Sequence, residues 1–198
     1  VFSVAISSVV LMIAGTSPLE AWLEMLSYGT RLETLVATAN RATPLYLAGI
    51  AVAIGFRMNL FNIGVEGQYV LAALLSASVG AAVDLPAALH VALIMLVAMT
   101  VGSLFAGVAG YLKVTRGVHE VISTIMLNAI ALAAVGYMLR NWLIDGADTS
   151  LNMKTPEIPP SGRFPNLNGI VETFTREITR GRELWGFLLV AVLVGVLF

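Results

Sequence analysis

The sequence contains no cysteine and only two histidines, His90 and His119. The lack of cysteine excludes disulfides, thiolate metal sites and cysteine nucleophiles. Two histidines this far apart along the chain do not make a zinc site. The patterns G-x-x-x-x-G-K-[ST], H-E-x-x-H and G-x-S-x-G are also missing. The chain therefore carries no signature of a P-loop ATPase, a zinc protease or a serine hydrolase, and no catalytic or metal-binding residue is predicted.

Charge is scarce as well. Only 12% of the residues are charged and 58% are hydrophobic, with a mean hydropathy of +0.89, whereas soluble domains average about 25% charged residues. The net charge of −1 leaves no large basic surface for nucleic acid. This composition predicts an integral membrane protein that does not bind nucleic acid.

Six charge-free runs predict an all-α, polytopic helical bundle with about six membrane segments. They cover residues 1–19, 42–56, 67–83, 85–112, 121–139 and 184–198. A full span needs about 20 apolar residues, so the second and third runs are either short spans or parts of broken helices. Apolar runs reach both ends of the sequence. We therefore expect residues 1–198 to be a single transmembrane domain cut from a longer protein.

A short amphipathic helix is predicted after the first run. Ser17-Pro18-Leu19-Glu20 has the form of a capping box with proline at the first helical position. Apolar residues then recur at helical spacing, at Leu19, Trp22, Leu23 and Leu26. This segment is either an interfacial helix or an amphipathic extension of the first span, and the sequence does not choose between them.

Residues 59–68 carry the most polar side chains beside apolar runs. A polar group costs several kcal/mol where lipid excludes water, so polar side chains beside membrane segments indicate a structural or functional role. The glycines of the motif, Gly64 and Gly67, permit close helix packing or a broken helix. The candidates for a translocation path or gate are Asn59, Asn62, Glu66 and Gln68.

Two further patterns lie on the later segments. Small residues four apart occur at Gly102, Ala106 and Gly110. They allow close helix packing, either inside the bundle of this chain or at an interface with another subunit. A charged connection is followed by a span with polar first turns; its notable residues are Lys113, Arg116, His119, Glu120, Ser123, Thr124 and Asn128. These polar groups are either functional or ordinary helix-end chemistry, with Ser and Thr bonding back to carbonyls.

Residues 140–183 form the one long hydrophilic segment. Its three prolines around residues 156–160 exclude a regular helix there, and Ile170, Phe174 and Ile178 predict a short amphipathic helix. This segment either docks a partner or lies on its own spans. Eight Lys and Arg fall on the connections of its face and three on the other face. Taken literally, the positive-inside rule places it in the cytoplasm.

Three stretches of the sequence closely resemble one family. They are Ala42-Thr43-Pro44-Leu45, residues 61–68 (Phe-Asn-Ile-Gly-Val-Glu-Gly-Gln) and residues 120–128 (Glu-Val-Ile-Ser-Thr-Ile-Met-Leu-Asn). They resemble the bacterial ABC importer permeases of the branched-chain amino acid/ribose type, and within it the nucleoside (simple-sugar) branch. The prolines at 156 and 159–160 are also similar to that branch. The ribose branch carries a different sequence at residues 61–68, which favours nucleosides.

The resemblance implies a permease subunit in the bacterial cell membrane that moves nucleosides by alternating access. Its implied partners are a homologous second permease, a cytoplasmic ATPase that holds ATP and Mg²⁺, and an extracytoplasmic substrate-binding lipoprotein. It places residues 140–183 outside, against the charge count, and residues 113–120 inside, where they would meet the ATPase. Asn59, Asn62 and Gln68 would then offer hydrogen bonds to the solute, and Glu66 would hold the motif through the backbone or Arg57.

Three alternatives stay open at this point. The first is a permease of the same type for simple sugars such as ribose. The second is an ion-coupled secondary transporter, for which Glu66 is the one candidate coupling carboxylate, although it lies near the end of a span. The third is a membrane scaffold that assembles with partners but moves no solute.

Overall fold

The computed structural model describes residues 2–143, 153–165, 167 and 186–197. Within these residues the chain is helical and contains no β-strand. The α-helices are α1 (Phe2–Ile13), α2 (Pro18–Gly29), α3 (Leu32–Arg57), α4 (Val65–Ala82), α5 (Ala87–Arg116), α6 (Glu120–Met138) and α7 (Phe187–Leu197). A π-helical turn, Leu139–Leu143, extends α6, and a 3₁₀ turn occupies Pro160–Gly162. The predicted all-α class is confirmed.

Each of the six predicted apolar runs falls on a helix. Among the described residues, three segments are long and apolar enough to cross a membrane: α4, α5 and the stretch Glu120–Leu143. The bent pair of α1 and α2 makes a fourth if it is one span. The first run is broken instead, because α1 and α2 meet at a bend of 119°. The run at 42–56 forms the second half of the 26-residue α3, and the last run forms α7. The second and third runs lie in the continuous helices α3 and α4, so the broken helices that the sequence suggested for them are not found there.

The chain divides into two compact units. One contains Val1–Pro44 and Asn166–Val192, and the other contains Leu45–Pro165 and Leu193–Phe198. The boundary near residue 44 falls inside α3, at the proline of the Ala-Thr-Pro-Leu motif. The single domain expected for residues 1–198 remains a prediction.

The second unit contains a bundle in which α4, α5 and α6 pack against one another. A four-residue connection, residues 83–86, joins α4 to α5, so these helices form an antiparallel hairpin. Gly80 allows this close approach, because a Cβ there would lie 2.8 Å from the Cδ1 of Ile94. The bundle centre contains small side chains such as Ala109 and Ala131, whereas large ones such as Leu96 and Leu104 are exposed. Small residues inside and large apolar residues outside are typical of helices packed in lipid.

Little of the long hydrophilic segment is described. Residues 153–165 run without a regular helix apart from the 3₁₀ turn, in agreement with the prolines. The amphipathic helix predicted from Ile170, Phe174 and Ile178 lies outside the described residues. The extracytoplasmic position of residues 140–183 therefore remains a prediction.

Candidate functional site

The predicted path motif starts where α3 ends. Asn59 has a left-handed backbone, with φ of 55°, a conformation that asparagine tolerates better than most residues. Its N–H donates to the Phe56 carbonyl at 3.1 Å, and the N–H of Leu60 donates to the Gly55 carbonyl at 2.9 Å. This is the hydrogen-bond pattern of a Schellman motif. The structure thus places Asn59 as the exposed residue that terminates α3.

Two predicted path residues bond to each other. The Nδ2 of Asn62 donates to the Oε1 of Gln68 at 3.4 Å, and the Nε2 of Gln68 donates to the Oδ1 of Asn62 at 3.2 Å. The same Oδ1 accepts a hydrogen bond from the Gly64 amide at 3.0 Å. The two side chains therefore hold the turn into α4, and their amides are already occupied in this arrangement.

Asn128 joins α6 to the beginning of α4. Its Oδ1 accepts a hydrogen bond from the Gly67 amide at 2.8 Å, and its Nδ2 donates to the Ile63 carbonyl at 2.9 Å. The first amides of a helix have no partner within the helix, and no side chain caps α4 at its N-cap residue, Gly64. Asn128 supplies one such partner from another helix, so it acts as a polar clamp across two segments of the bundle.

The two glycines of the motif make this contact possible. A Cβ on Gly64 would lie 3.1 Å from the Cβ of Thr124. A Cβ on Gly67 would lie 2.7 Å from the Asn128 Oδ1 and 3.0 Å from both the Asn128 Cα and the Ala131 Cβ. Because two of these neighbours are fixed to the α6 backbone, a side chain at position 67 would force the helices apart.

The small residues predicted to pack on α5 are placed differently. A Cβ on Gly102 or Gly110 would meet no atom within 4 Å. Ala106 and Gly110 instead contribute to the wall of a cavity at the end of the bundle. Within the described chain, therefore, Gly102 and Gly110 are not sites of close helix contact.

An ion pair joins the ends of α5 and α6. The Nζ of Lys113 lies 2.8 Å from the Glu120 Oε1, and the Glu120 side chain is only 12% exposed. The Phe61 backbone also hydrogen-bonds this carboxylate. One side chain thus links both helix ends to the segment before α4. Arg116 and His119, on the same connection, are exposed.

The hydroxyl groups that follow Glu120 turn back on their own helix. Ser123 and Thr124 are buried, and their hydroxyls donate to the Glu120 carbonyl at 3.1 and 2.8 Å. These bonds are the ordinary helix-end chemistry that the sequence left open as the alternative to a functional role.

Glu66 differs from its neighbours. It lies in the first turn of α4, where a carboxylate is favoured by the helix dipole, and its side chain is exposed. Among the described residues no hydrogen bond or ion pair of the Glu66 side chain is present, so the expected bond to Arg57 is not found there. The turn is held by Asn62, Gln68 and Asn128 instead.

The two motifs enclose a cavity of about 150 Å³ at this end of the bundle. Its lining includes Phe61, Asn62, Ala106, Gly110, Lys113 and Glu120. Small-molecule pockets usually measure about 300–1,000 Å³, so this cavity does not enclose a whole drug-sized ligand by itself. Six of the predicted residues line it: Asn62, Ala106, Gly110, Lys113, Glu120 and Thr124.

His90 was not predicted, yet it anchors the opposite end of the bundle. Its side chain is fully buried, with Nε2 2.9 Å from the Gly80 carbonyl and Nδ1 2.9 Å from the Ser161 hydroxyl. Because a carbonyl only accepts, Nε2 carries the proton, and in the uncharged ring Nδ1 accepts from Ser161. The one available signal was its place in an apolar run just after Pro86. His90 fastens residues 153–165 onto the α4–α5 hairpin.

We expect His90→Ala to release this segment. The substitution leaves the Gly80 carbonyl and Ser161 without their buried partner and opens a space beneath Gly162, so residues 153–165 lose their anchor. Trypsin should then cut after Lys154 or Arg163 several-fold faster in the folded protein, as measured by mass spectrometry of the fragments. His119→Ala changes the exposed histidine and should leave the rate unchanged. Equal rates for the two variants would show that His90 does not hold the segment.

The chain matches one family model and several known proteins. Residues 34–198 match the family described as branched-chain amino acid transport system / permease component. The guanosine ABC transporter permease protein NupP of Bacillus subtilis (strain 168) is 39% identical over 160 residues, which are 81% of this chain and 43% of that protein. The glucose ABC transporter permease protein TsgB13 of Haloferax volcanii is 33% identical over 181 residues, or 85% of this chain and 44% of that protein.

A third relative is more distant. The nucleoside ABC transporter permease protein NupB of Lactococcus lactis subsp. cremoris (strain MG1363) is 28% identical over 144 residues, or 71% of this chain and 39% of that protein. No solved structure matches the chain. The chain spans less than half the length of these curated relatives. From the family match and the apolar helices, the chain belongs to the permease components of the branched-chain amino acid transport system family and is a multi-pass protein of the cell membrane.

Proposed function

We propose that the full-length protein is the membrane-spanning permease subunit of an ATP-driven importer that moves nucleosides across the cytoplasmic membrane by alternating access. The observation that carries this proposal is the 39% identity to a guanosine permease over 81% of the chain. The more distant nucleoside permease supports the same solute class. The earlier resemblance of residues 61–68 to the nucleoside branch points the same way.

The chemistry of the candidate site suits a polar, uncharged solute. Its hydrogen-bonding side chains include the amides of Asn62, Gln68 and Asn128, and a solute would have to replace some of the bonds that they make to each other and to the backbone. Lys113 and Glu120 neutralise each other. A nucleoside offers donors, acceptors and a flat ring but no fixed charge. The cavity of about 150 Å³ is too small for it alone, so other parts of the full-length protein or a second permease would complete the path.

The proposed partners follow from this function. A homologous second permease would share the path, a cytoplasmic ATPase would hold ATP and Mg²⁺, and an extracytoplasmic lipoprotein would deliver the solute. This chain would be no enzyme and would bind no cofactor itself. The exposed Arg116 and His119 on the connection between α5 and α6 would face the ATPase. Glu120 would pass movement of that connection to residues 61–67 through its bonds to Lys113 and Phe61.

A second candidate is import of a simple sugar. It is favoured by the glucose permease relative, which aligns over a longer part of this chain, 85%, at 33% identity. A sugar is also polar and uncharged, so the side chains of the site do not separate it from a nucleoside. Only the solute preference of the assembled importer separates the two.

The test is uptake of labelled guanosine by cells that carry the full-length protein, its sister permease, its ATPase and its binding protein. We expect ATP-dependent uptake that other nucleosides compete and that ribose, glucose and leucine do not. Competition by ribose or glucose would move the protein to the sugar candidate. Uptake that survives inactivation of the ATPase but not collapse of the ion gradient would establish a secondary transporter. Assembly with no flux of any solute would establish a scaffold.

A further inference from the structure

The turn between α1 and α2 is fixed by its residues. Gly15 has a left-handed backbone, with φ of +76°. The Ser17 hydroxyl accepts a hydrogen bond from the Glu20 amide at 3.5 Å, and Pro18 occupies the first turn of α2. A capping side chain and a proline set the direction in which a helix begins. The bend of 119° that results turns the axis of α2 past a right angle to that of α1.

A hydrogen bond shows which side of α2 faces α1. The indole Nε1 of Trp22 donates to the hydroxyl of Ser8 at 3.1 Å. Ser8 lies within the apolar helix α1, Phe2–Ile13, which contains no charged residue and no buried side chain. An indole N–H seeks a partner when the ring leaves water, and here α1 supplies it. The side of α2 that contains Trp22 therefore faces α1.

The rest of α2 is arranged around that side. At 100° per residue, Leu19, Leu23 and Leu26 form one stripe beside Trp22, and these leucines are 68%, 56% and 69% exposed. The other side contains Glu20 and Glu24, both exposed, and Ser27 lies at the edge between the two sides. The leucine stripe thus continues the uncovered apolar surface of α1 around the bend.

We propose that α2 lies in the lipid–water interface of the bilayer, with its leucine stripe in the acyl region and its glutamates in water. The inference rests on the membrane location of the chain and not on the solute that it moves. A helix of 12 residues is about 18 Å long, whereas the hydrocarbon core is about 30 Å thick. At this length α2 does not cross the hydrocarbon core by itself, and the bend of 119° turns its axis away from that of α1.

Charge identifies the kind of lipid contact. The helix contains two glutamates and no basic residue, and the Arg31 that follows it pairs with Glu24 at 3.3 Å and covers the ring of Tyr28. Many interfacial helices gain affinity from basic residues and anionic headgroups, and this one has no such contribution. Its contact with lipid is apolar, through the leucines and Trp22, so it should not depend on anionic lipid.

The experiment places a spin label at single positions along α2. The sequence has no cysteine, so Cys is introduced at positions 19–28 one at a time in the full-length protein, with any cysteine outside residues 1–198 replaced. In phosphatidylcholine vesicles, collision rates with oxygen and with a water-soluble nickel complex are measured. We expect the oxygen-to-nickel ratio to oscillate with the helical repeat. It should be several-fold higher for Leu19→Cys, Leu23→Cys and Leu26→Cys than for Glu20→Cys and Glu24→Cys, with Ser27→Cys between the two groups.

Labels on α5 provide the control, because Leu89, Leu96 and Leu104 are exposed along a helix long enough to span. Their oxygen-to-nickel ratios should change steadily with the depth of each label in the bilayer. A steady change of this kind along α2 would overturn the proposal in favour of a span. High nickel accessibility at all ten positions would place α2 in water, and low collision rates with both reagents at the leucines would show a protein partner. An oscillation that needs anionic lipid would contradict the apolar contact.

Discussion

The Gly67→Ala variant is expected to lose most of its uptake and to unfold at a lower temperature in detergent. A Cβ at this position would lie 2.7 Å from the Asn128 Oδ1 and 3.0 Å from the Asn128 Cα and the Ala131 Cβ. The side-chain oxygen of Asn128 can rotate away, but the α6 backbone cannot. Overpacking of this kind costs about 1–3 kcal/mol. It also breaks the bond from the Gly67 amide to Asn128.

A matched control is Gly102→Ala. It adds the same methyl group to a membrane helix at a position where no described atom lies within 4 Å of the new Cβ. We expect its uptake and unfolding temperature to stay close to those of the unchanged protein, since alanine is also the better helix former. If Gly67→Ala behaves like Gly102→Ala in both measurements, the close contact between α4 and α6 is not present in the working protein.

The second large effect is expected from Asn128→Ala. This substitution removes the partners of two backbone groups, the Gly67 amide and the Ile63 carbonyl. An orphaned buried group costs about 1–3 kcal/mol, whereas side-chain bonds between membrane helices average only about 0.6 kcal/mol. Because Gly67 is buried and Ile63 is exposed, most of the effect should come from the Gly67 amide, and we expect a loss of about 1–3 kcal/mol of stability, with a matching loss of uptake.

Two further variants test whether the loss comes from the Asn128 bonds between α4 and α6 or from the removal of any side-chain hydrogen bond. Asn128→Asp keeps the oxygen that accepts from Gly67 but sets a second oxygen against the Ile63 carbonyl, so it should be less stable than the unchanged protein, and more so at high pH, where the carboxyl group is charged. Asn141→Ala removes a bond of similar length, 2.8 Å, that stays within one turn, to the Tyr137 carbonyl. Its effect should be small. A loss for Asn141→Ala as large as for Asn128→Ala would show that the bond between segments has no special weight.

The fold class was predictable because its signal is local. Each run without charge formed a helix, and the proline-rich stretch near residues 156–160 stayed without regular helix because proline lacks the N–H that a helix needs. Ser17 caps the start of α2, and Pro18 occupies its first turn, as predicted. The contacts of the candidate site were harder to predict from the sequence, since they depend on which helices pack against one another. Asn128 has its partners more than sixty positions away, and no local pattern pairs it with Gly67.

The type of a residue also predicted its role less well than its position in the fold explains it. Asn59, Asn62 and Gln68 were predicted as side chains for the solute, and the sequence cannot show that one terminates a helix and the other two bond to each other. His90 was passed over because a single histidine in an apolar run has no pattern around it. Its role depends on Ser161, which is 71 positions later and reaches it only through the fold. The sequence of a single chain does not show which distant segments contact each other.

The clamp between α4 and α6 also sets an order of assembly during synthesis. Asn128 is 61 residues later in the chain than Gly67, and at about 5–20 residues per second the ribosome needs roughly 3–12 s to reach it. During this interval the start of α4 has left the ribosome with its Gly67 amide still lacking its final partner, which is costly in hydrocarbon. We therefore expect α4 to wait beside the insertion machinery or near the headgroups, and to settle to its final depth only when α6 follows.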